Sequence, residues 1–454
     1  IVIARRLSEV AAVVGGRVHG EDVVVISAAS DSRSAVPGTL FVALPGERVD
    51  GHDFVAEAMA RGAAAALVRR SVDGYPCVEV PDTGVALLEL ARNERDRRKD
   101  ATVVGITGAN GKTSTKDMAA AVVSARFRTH ASPASFNTEV GVPITLLGAP
   151  PDAEVVIAEL GARRIGDVAL LCEIARPDVV VVTNVGVAHM EVFGSWEAIV
   201  DASAEPVETL GRDGTAILNA DDPVVRGYER RTSAHVRWFG LGRDADVRAS
   251  RIELDHDGRA RFVLEIDGGR EHVELAVPGE HMVPNALAAA AVGSTLGLSA
   301  AECAVALKGA RVSAWRMESF ETPDGARIVN DAYNANPESM AAGLKAARWM
   351  AREGRLAAVL GHMAELGPIA LDEHERLGEL IVRIGVERLV TVGERARMIH
   401  RAAVREGQLP EDAVDVDTPE EALADLRAWL RPGDVVLIKG SRVVGLERLA
   451  EALR

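Results

Sequence analysis

Residues 101–114 read Ala-Thr-Val-Val-Gly-Ile-Thr-Gly-Ala-Asn-Gly-Lys-Thr-Ser, and residues 116–123 continue with a helical pattern. An apolar run, a glycine-rich turn and a helix in that order form the first half of a βαβ unit. Glycines fall at 105, 108 and 111, while Ile106 stands where the strict eight-residue phosphate-loop pattern has glycine. Glycine lets backbone N–H groups converge on phosphate oxygens, and the new helix adds its N-terminal partial positive charge. Lys112 is then placed for β- and γ-phosphates and the Thr113 hydroxyl for Mg²⁺. Gly108, Asn110, Gly111, Lys112, Thr113 and Ser114 are the nucleotide candidates. The plain alternative, a turn that only packs helix on strand, leaves Lys112 and Thr113 unexplained.

Outward from this unit, strand-like runs at 155–159, 179–183 and 215–219 alternate with helical patterns, which predicts a doubly wound, mostly parallel sheet. Runs at 247, 251–254, 261–266 and 272–277, with Asp-Gly at 257–258 and 267–268, predict an antiparallel meander attached to it. Residues 1–98 alternate short apolar runs (23–26, 40–44, 63–68) with Gly/Pro turns, as a small α/β unit does. Residues 313–454 return to alternation, as in a Rossmann-like α/β unit. The densely charged stretch 92–100 reads as the solvated end of a helix leading into a linker. The expected domains are therefore 1–98, 99–312 and 313–454. A length of 454 residues fits three domains at roughly 150 residues each.

Lys and Arg number 52 against 67 Asp and Glu, a net charge of −15. That excess argues against a nucleic-acid coat or an anionic-membrane binder, though not against a local basic pocket. Three widely spaced cysteines, Cys77, Cys172 and Cys303, supply neither a disulfide framework nor a cysteine zinc site, so a reducing, cytoplasmic setting is expected. No apolar run is long enough to span a bilayer, and no secretion-signal pattern opens the sequence.

Two more residues sit at strand ends of the central unit. Glu159 closes the run 155–159, where a carboxylate faces the ligand crevice and reads either as a Mg²⁺ ligand or as a salt-bridge partner. His189 follows the run 179–183 and reads as a site residue or a surface one.

Together these segments resemble the Mur ligases, ATP-dependent amide-forming enzymes of peptidoglycan precursor synthesis. The resemblance covers nearly the whole chain. Beside the phosphate loop it includes Asn137-Thr-Glu-Val-Gly-Val-Pro143, Glu159-Leu-Gly161, Thr183-Asn-Val-Gly-Val-Ala-His189, Asn219-Ala-Asp-Asp-Pro223, His281 with Asn285, Arg316, Asp331-Ala-Tyr-Asn-Ala-Asn-Pro337 and Lys439-Gly-Ser-Arg442. Asp31-Ser-Arg33, the segment 41–46 and Asp50-Gly-His-Asp-Phe54 resemble the family's UDP-binding amino-terminal domain. Residues 331–337 and 361–367 are similar to the form in members that add D-Ala-D-Ala to a UDP-N-acetylmuramoyl-tripeptide.

The resemblance implies ATP and Mg²⁺ as cofactors, the metal held by Thr113, Glu159 and His189. It implies catalytic roles for Lys112, Glu159 and His189, and places Asn285, Arg316 and Asp331 beside the nucleotide. Ser32, Arg33, Gly46, Asn137, Thr138, Arg163, Asn334, Asn336, Lys439 and Arg442 become substrate candidates. The implied partners are those two small molecules, without nucleic acid or membrane, acting on a monomer. Local alternatives stay open: a cap or turn for Asp31 and Ser32, turn chemistry beside Pro337 for Asn334 and Asn336, and an ion pair for Arg316.

The chain departs from the pattern at three places. Ser203 stands where the family carries a carbamylated lysine, Arg163-Arg164 stand where Asn-His is usual, and Met282 stands where Asn is usual. Arg163 and Arg164 either bind an anionic substrate group or coat a helix. Other readings are a paralogue with a different amine or acid, a nucleotide-binding homologue with weakened catalysis, and a phosphate-loop kinase or NTPase.

Overall fold

The computed structural model describes residues 4–46, 49–187 and 190–454. Its largest sheet has nine strands. From one edge these are Thr129–Ala131, Val155–Glu159, Thr102–Thr107, Val179–Val182, Thr215–Asn219, His235–Gly240, Val247–Leu254, Arg259–Ile266 and Gly269–Pro278. Pairing is parallel as far as Val247–Leu254 and antiparallel beyond it. The last three strands are the expected meander. Its turns hold Gly258 at φ 73°, Asp267 at 49° and Gly268 at 84°, the left-handed region that Asp-Gly pairs tolerate.

Parallel strands covered on both faces are apolar throughout, which explains the unbroken run of valines at 179–182, all buried. One face receives the helices Lys112–Val123 and Met282–Thr295. The second of these buries Ala286 and Ala288 to Ala291 completely, so small side chains, rather than aromatics, let the two helices approach closely. The other face receives Gly141–Gly148 and Asp167–Ala175. Helix Trp196–Glu208 packs farther along, with Ala204 and Val207 against Val180 and Val182.

A five-stranded sheet precedes this unit, ordered Arg17–His19, Cys77–Glu79, Ala65–Val68, Thr39–Val42 and Ser27–Ala29. The run 23–26 does not form one strand of it. Val24–Val25 pairs instead with Arg5–Arg6 in a separate ribbon, and the chain re-enters the sheet at Ser27. A six-stranded sheet follows, ordered Glu318–Glu321, Arg327–Asn330, Val435–Lys439, Leu356–Gly361, Arg388–Val392 and Ala413–Val416, with only the first pairing antiparallel.

The charged stretch 92–100 fits its reading as a solvated helix end only in part: Asp96, Arg97, Lys99 and Asp100 are exposed, but three of its charged residues are not. Glu94, Arg95 and Arg98 are buried on one face of helix Thr83–Arg97 and its end. Glu94 pairs with both Arg5 and Arg98. Arg95 donates to the carbonyls of Ala175 and Arg176, and Arg98 to those of Ala149 and Pro150. Those carbonyls end two helices of the central unit, where orphan acceptors and the helix dipole both favour cations. The stretch is thus a polar seam between two units. No helix among the described residues is long and apolar enough to cross a membrane.

Candidate active site

Strand Thr102–Thr107 ends at Gly108, whose φ of 133° suits only glycine. A Cβ there would lie 2.0 Å from Thr183 Oγ1, and one on Gly111 (φ 80°) would lie 2.2 Å from Asn285 Oδ1. The glycines therefore let a loop pass between two neighbouring side chains. The adjacent strand end holds that loop: Thr183 Oγ1 donates to the Asn110 carbonyl at 2.7 Å, and Asn184 Oδ1 accepts the Asn110 amide at 2.8 Å. Helix Lys112–Val123 starts at once, with its first turn facing a cavity of about 730 Å³.

Lys112 folds back, donating from Nζ to the Gly108 carbonyl at 2.5 Å. Desolvation in the cavity wall pulls its pKa below the ordinary 10.5; Glu159 opposes that shift, and Arg316 adds to it. A phosphate would supply the missing counter-charge. Thr113 Oγ1 donates to Glu159 Oε2 at 2.8 Å, and Asn137 Nδ2 donates to Glu159 Oε1 at 2.8 Å. Glu159 is 1% exposed, and both of these partners are neutral. A buried carboxylate beside a helix-start hydroxyl is an oxygen donor set suited to a hard cation. His189 lies outside the described residues.

The C-terminal sheet contributes the opposite wall. Arg316 donates to Thr113 Oγ1 at 2.6 Å and to Ser135 Oγ at 3.0 Å, and its guanidinium stacks 4.1 Å from the Tyr333 ring centre. Asn336 uses Oδ1 to cap helix Pro337–Ala351 at the Ser339 amide, and Nδ2 to reach Asn110 Oδ1 at 2.7 Å. The turn chemistry left open for Asn336 is present, together with a bond to the phosphate loop. Lys439, 2% exposed, pairs with Asp331 at 2.6 Å and donates to the Asn334 carbonyl at 2.9 Å. It fixes the 331–334 turn from beneath. Arg442 stacks 4.1 Å from the Trp315 ring centre at the cavity wall.

Asn285 accepts from Thr115 Oγ1 at 3.3 Å and packs under Gly111, with Met282 beside it. Thr138 Oγ1 accepts weakly from the Val140 and Gly141 amides, both at 3.4 Å. Ser114 is buried in the helix's first turn. Arg163 and Arg164 sit exposed at the rim, their amides held by Asp167. The amino-terminal candidates stand apart, since none of them lines this cavity. Asp31 caps the turn Ser32–Ser34 and pairs with the exposed Arg33, Ser32 donates to Glu57 at 3.0 Å, and the Gly46 amide donates to the Val49 carbonyl at 3.0 Å. Ser203 is half-buried and also off the cavity.

Sequence reading missed Ser135, Trp315 and Tyr333. Each sits within two residues of a recognised position, but its role depends on contacts between distant segments.

Models of the Mur ligase family match three stretches: the family catalytic domain at residues 27–91, the middle domain at 106–293 and the glutamate ligase domain at 315–442. Curated relatives named UDP-N-acetylmuramoyl-tripeptide--D-alanyl-D-alanine ligase include one from Mycobacterium tuberculosis, 42% identical over 93% of this chain and 91% of its own length. Another, from Bacillus subtilis, is 33% identical over 100% of this chain and 99% of its own. A crystal structure of MurF from Acinetobacter baumannii superposes with a TM-score of 0.86 at 30% identity, covering 100% of this chain and 99% of that one. MurF from Thermotoga maritima in complex with ADP gives 0.79 at 30% identity, covering 94% and 96%.

Proposed function

This chain belongs to the Mur ligase family and is an ATP-dependent ligase, and we propose that it joins D-alanyl-D-alanine to a UDP-N-acetylmuramoyl-tripeptide. The observation that carries the reading is the meeting of two sheets at one hydroxyl: Thr113 touches Glu159 from the central unit and Arg316 from the C-terminal one. Domain limits at 98 and 312 suit this division of labour, with the first unit for the UDP group, the second for phosphates and the third for the dipeptide.

In the proposed reaction the tripeptide carboxylate attacks the γ-phosphate, giving an acyl phosphate and ADP. The dipeptide amine then attacks the acyl carbon, and phosphate leaves as the amide forms. Such chemistry needs positioning and charge neutralisation more than a covalent nucleophile. Lys112 and the amides at the helix start face the phosphates. Arg316 adds a second cation from across the cavity. Thr113 and Glu159 would hold Mg²⁺, which supplies Lewis-acid neutralisation of phosphate charge. Arg442 and Asn334 are the dipeptide-side candidates.

The test is phosphate release with ATP and UDP-N-acetylmuramoyl-tripeptide, with and without D-Ala-D-Ala. Release that ignores the dipeptide refutes the ligase assignment. Ser203 bears on rate: Ser203→Lys is expected to raise turnover and make it depend on bicarbonate. A folded, nucleotide-binding variant without that gain would show that the position needs no carbamate in this chain.

A further inference from the structure

Behind the phosphate loop lies a charged pair that the reaction above does not use. Lys116, one turn beyond Lys112 on the same helix, is 2% exposed. A buried ammonium is costly unless all its protons find acceptors. Here three acceptors surround Nζ: the Ser132 carbonyl at 2.7 Å, the Ala134 carbonyl at 2.8 Å and Asp117 Oδ1 at 2.9 Å. Two of them belong to a tight turn that holds Ala134 at φ 45°, a left-handed conformation that a side-chain-bearing residue adopts only when it is held there.

That turn carries site residues. Ser135, next in the chain, hydrogen-bonds Thr113 at 2.9 Å and Arg316 at 3.0 Å, and Asn137 hydrogen-bonds Glu159. Ser132 Oγ accepts the Glu159 amide at 3.1 Å. The other half of the pair reaches elsewhere. Asp117 Oδ2 accepts both the amide and the hydroxyl of Ser313, each at 2.7 Å. Ser313 lies in the connection between helix Ala300–Gly309 and strand Glu318–Glu321, three residues before Arg316. The contacts therefore close a ring. From Asp117 it runs through Ser313 to Arg316, across to Thr113 and Ser135, and back through the turn to Lys116.

We propose that Lys116 and Asp117 are a positioning pair: Lys116 sets the 132–137 turn against Thr113 and Glu159, and Asp117 fixes the inter-unit connection so that Arg316 meets the same hydroxyl. The pair touches no reacting atom. Its effect is to lock the C-terminal unit in register with the phosphate loop, and the proposal rests on the ligase reading for its kinetic arm only.

The experiment compares wild type with Lys116→Met, Asp117→Ala and Asp117→Asn in the full chain. Phosphate release with all substrates is read as kcat and KM, and ADP binding is read by calorimetry with and without Mg²⁺. A misplacement near 1 Å costs about 100-fold in rate, so Lys116→Met is expected to lower kcat by about 10- to 100-fold with KM for the tripeptide substrate little changed. The increment that Mg²⁺ adds to ADP affinity is expected to shrink severalfold in the same variant. Asp117→Asn keeps an acceptor for Ser313 but turns amide donors towards Lys116 Nζ, so it is expected to recover only part of the kcat that Asp117→Ala loses. If the folded variants keep wild-type kcat and the full Mg²⁺ increment, the proposal is overturned and the pair is merely structural. If Lys116→Met does not fold, the Asp117 variants decide. If wild type shows no dipeptide-dependent release, the ligase reading fails, and the Mg²⁺ increment alone judges the positioning pair.

Discussion

Arg316→Ala removes the side chain that joins the two halves of the cavity. The loss comprises charge-assisted hydrogen bonds to Thr113 and Ser135, worth roughly 1.5–3 kcal/mol, and a stack on Tyr333 worth about 0.5–2 kcal/mol. Against it stands one relief. Arg316 Nε is buried without a partner, and removing an unsatisfied donor returns about 1–3 kcal/mol. The net is about 1.5 kcal/mol, or roughly 10-fold in an equilibrium between joined and separated units. The expected result is a fall of about 10-fold in kcat/KM for ATP, with affinity for the UDP substrate unchanged. Arg316→Lys should fall between, because a lysine keeps the charge but not the planar stack and forked donors together. Steady-state phosphate release measures the first quantity, and small-angle scattering with ADP measures the separation of the units. A kcat/KM within about threefold of wild type, or a loss confined to KM for the UDP substrate, refutes the reasoning.

Glu159→Gln keeps the shape but removes the buried charge; kcat should fall about 100-fold or more, while thermal stability holds, since an amide is cheaper to bury than a carboxylate. Retained kcat would rule Glu159 out as a metal ligand. Lys112, pulled below 10.5 by burial, binds fewer protons folded than unfolded between its lowered pKa and 10.5. Its contribution in nucleotide-free protein is therefore a penalty that is full below the folded pKa and fades as pH rises towards 10.5. Denaturation across that window should show a rising slope in wild type that Lys112→Met lacks; equal slopes count against it. Asn336→Ala loses a helix cap worth about 0.5–2 kcal/mol and the Asn110 bridge, whereas Asn336→Asp keeps the cap alone. Urea midpoints should rank wild type, then Asp, then Ala; equal values for Asp and Ala would show that the cap contributes nothing.

The phosphate loop was legible because its chemistry is contiguous: strand, glycines, Lys112 and Thr113 follow one another. Glu159 was legible because parallel strands end on one edge, which brings residues far apart in sequence to one crevice. The meander was legible through Asp-Gly turns. Arg316 was recognisable as a residue, but not its contact with Thr113, which lies 203 positions away. In the stretch 92–100 the exposed residues match the solvated helix end, but the burial of Glu94, Arg95 and Arg98 was not legible, for a physical reason. Its composition shows the cost of burying charge but not the acceptors that offset it. Arg95 and Arg98 share one helix face with Glu94, which accepts from Arg98, and the carbonyls the two arginines meet are helix ends that no sequence pattern marks.

Ser203 brings these strands of argument together. Helical residues advance about 100° each, so positions 201 and 205 project away from 203. Asp201 pairs with Arg231 at 2.8 Å, and Glu205 accepts the amides of Gly166 at 2.5 Å and Ala169 at 2.8 Å. Glu208 also pairs with Arg231. Tyr228, buried against this helix, donates its hydroxyl to the Val200 carbonyl at 2.7 Å. Three of the four acids of helix Trp196–Glu208 are thus committed elsewhere and line no part of the cavity; the fourth, Glu197, is exposed. None of those three acids supplies the charge that a carbamate would bring there. On the proposed function, neutralisation of the transferring phosphate would fall on Lys112, Arg316 and the Mg²⁺ that Thr113 and Glu159 would hold, and the contacts that keep those four side chains in register are the ones the variants above test.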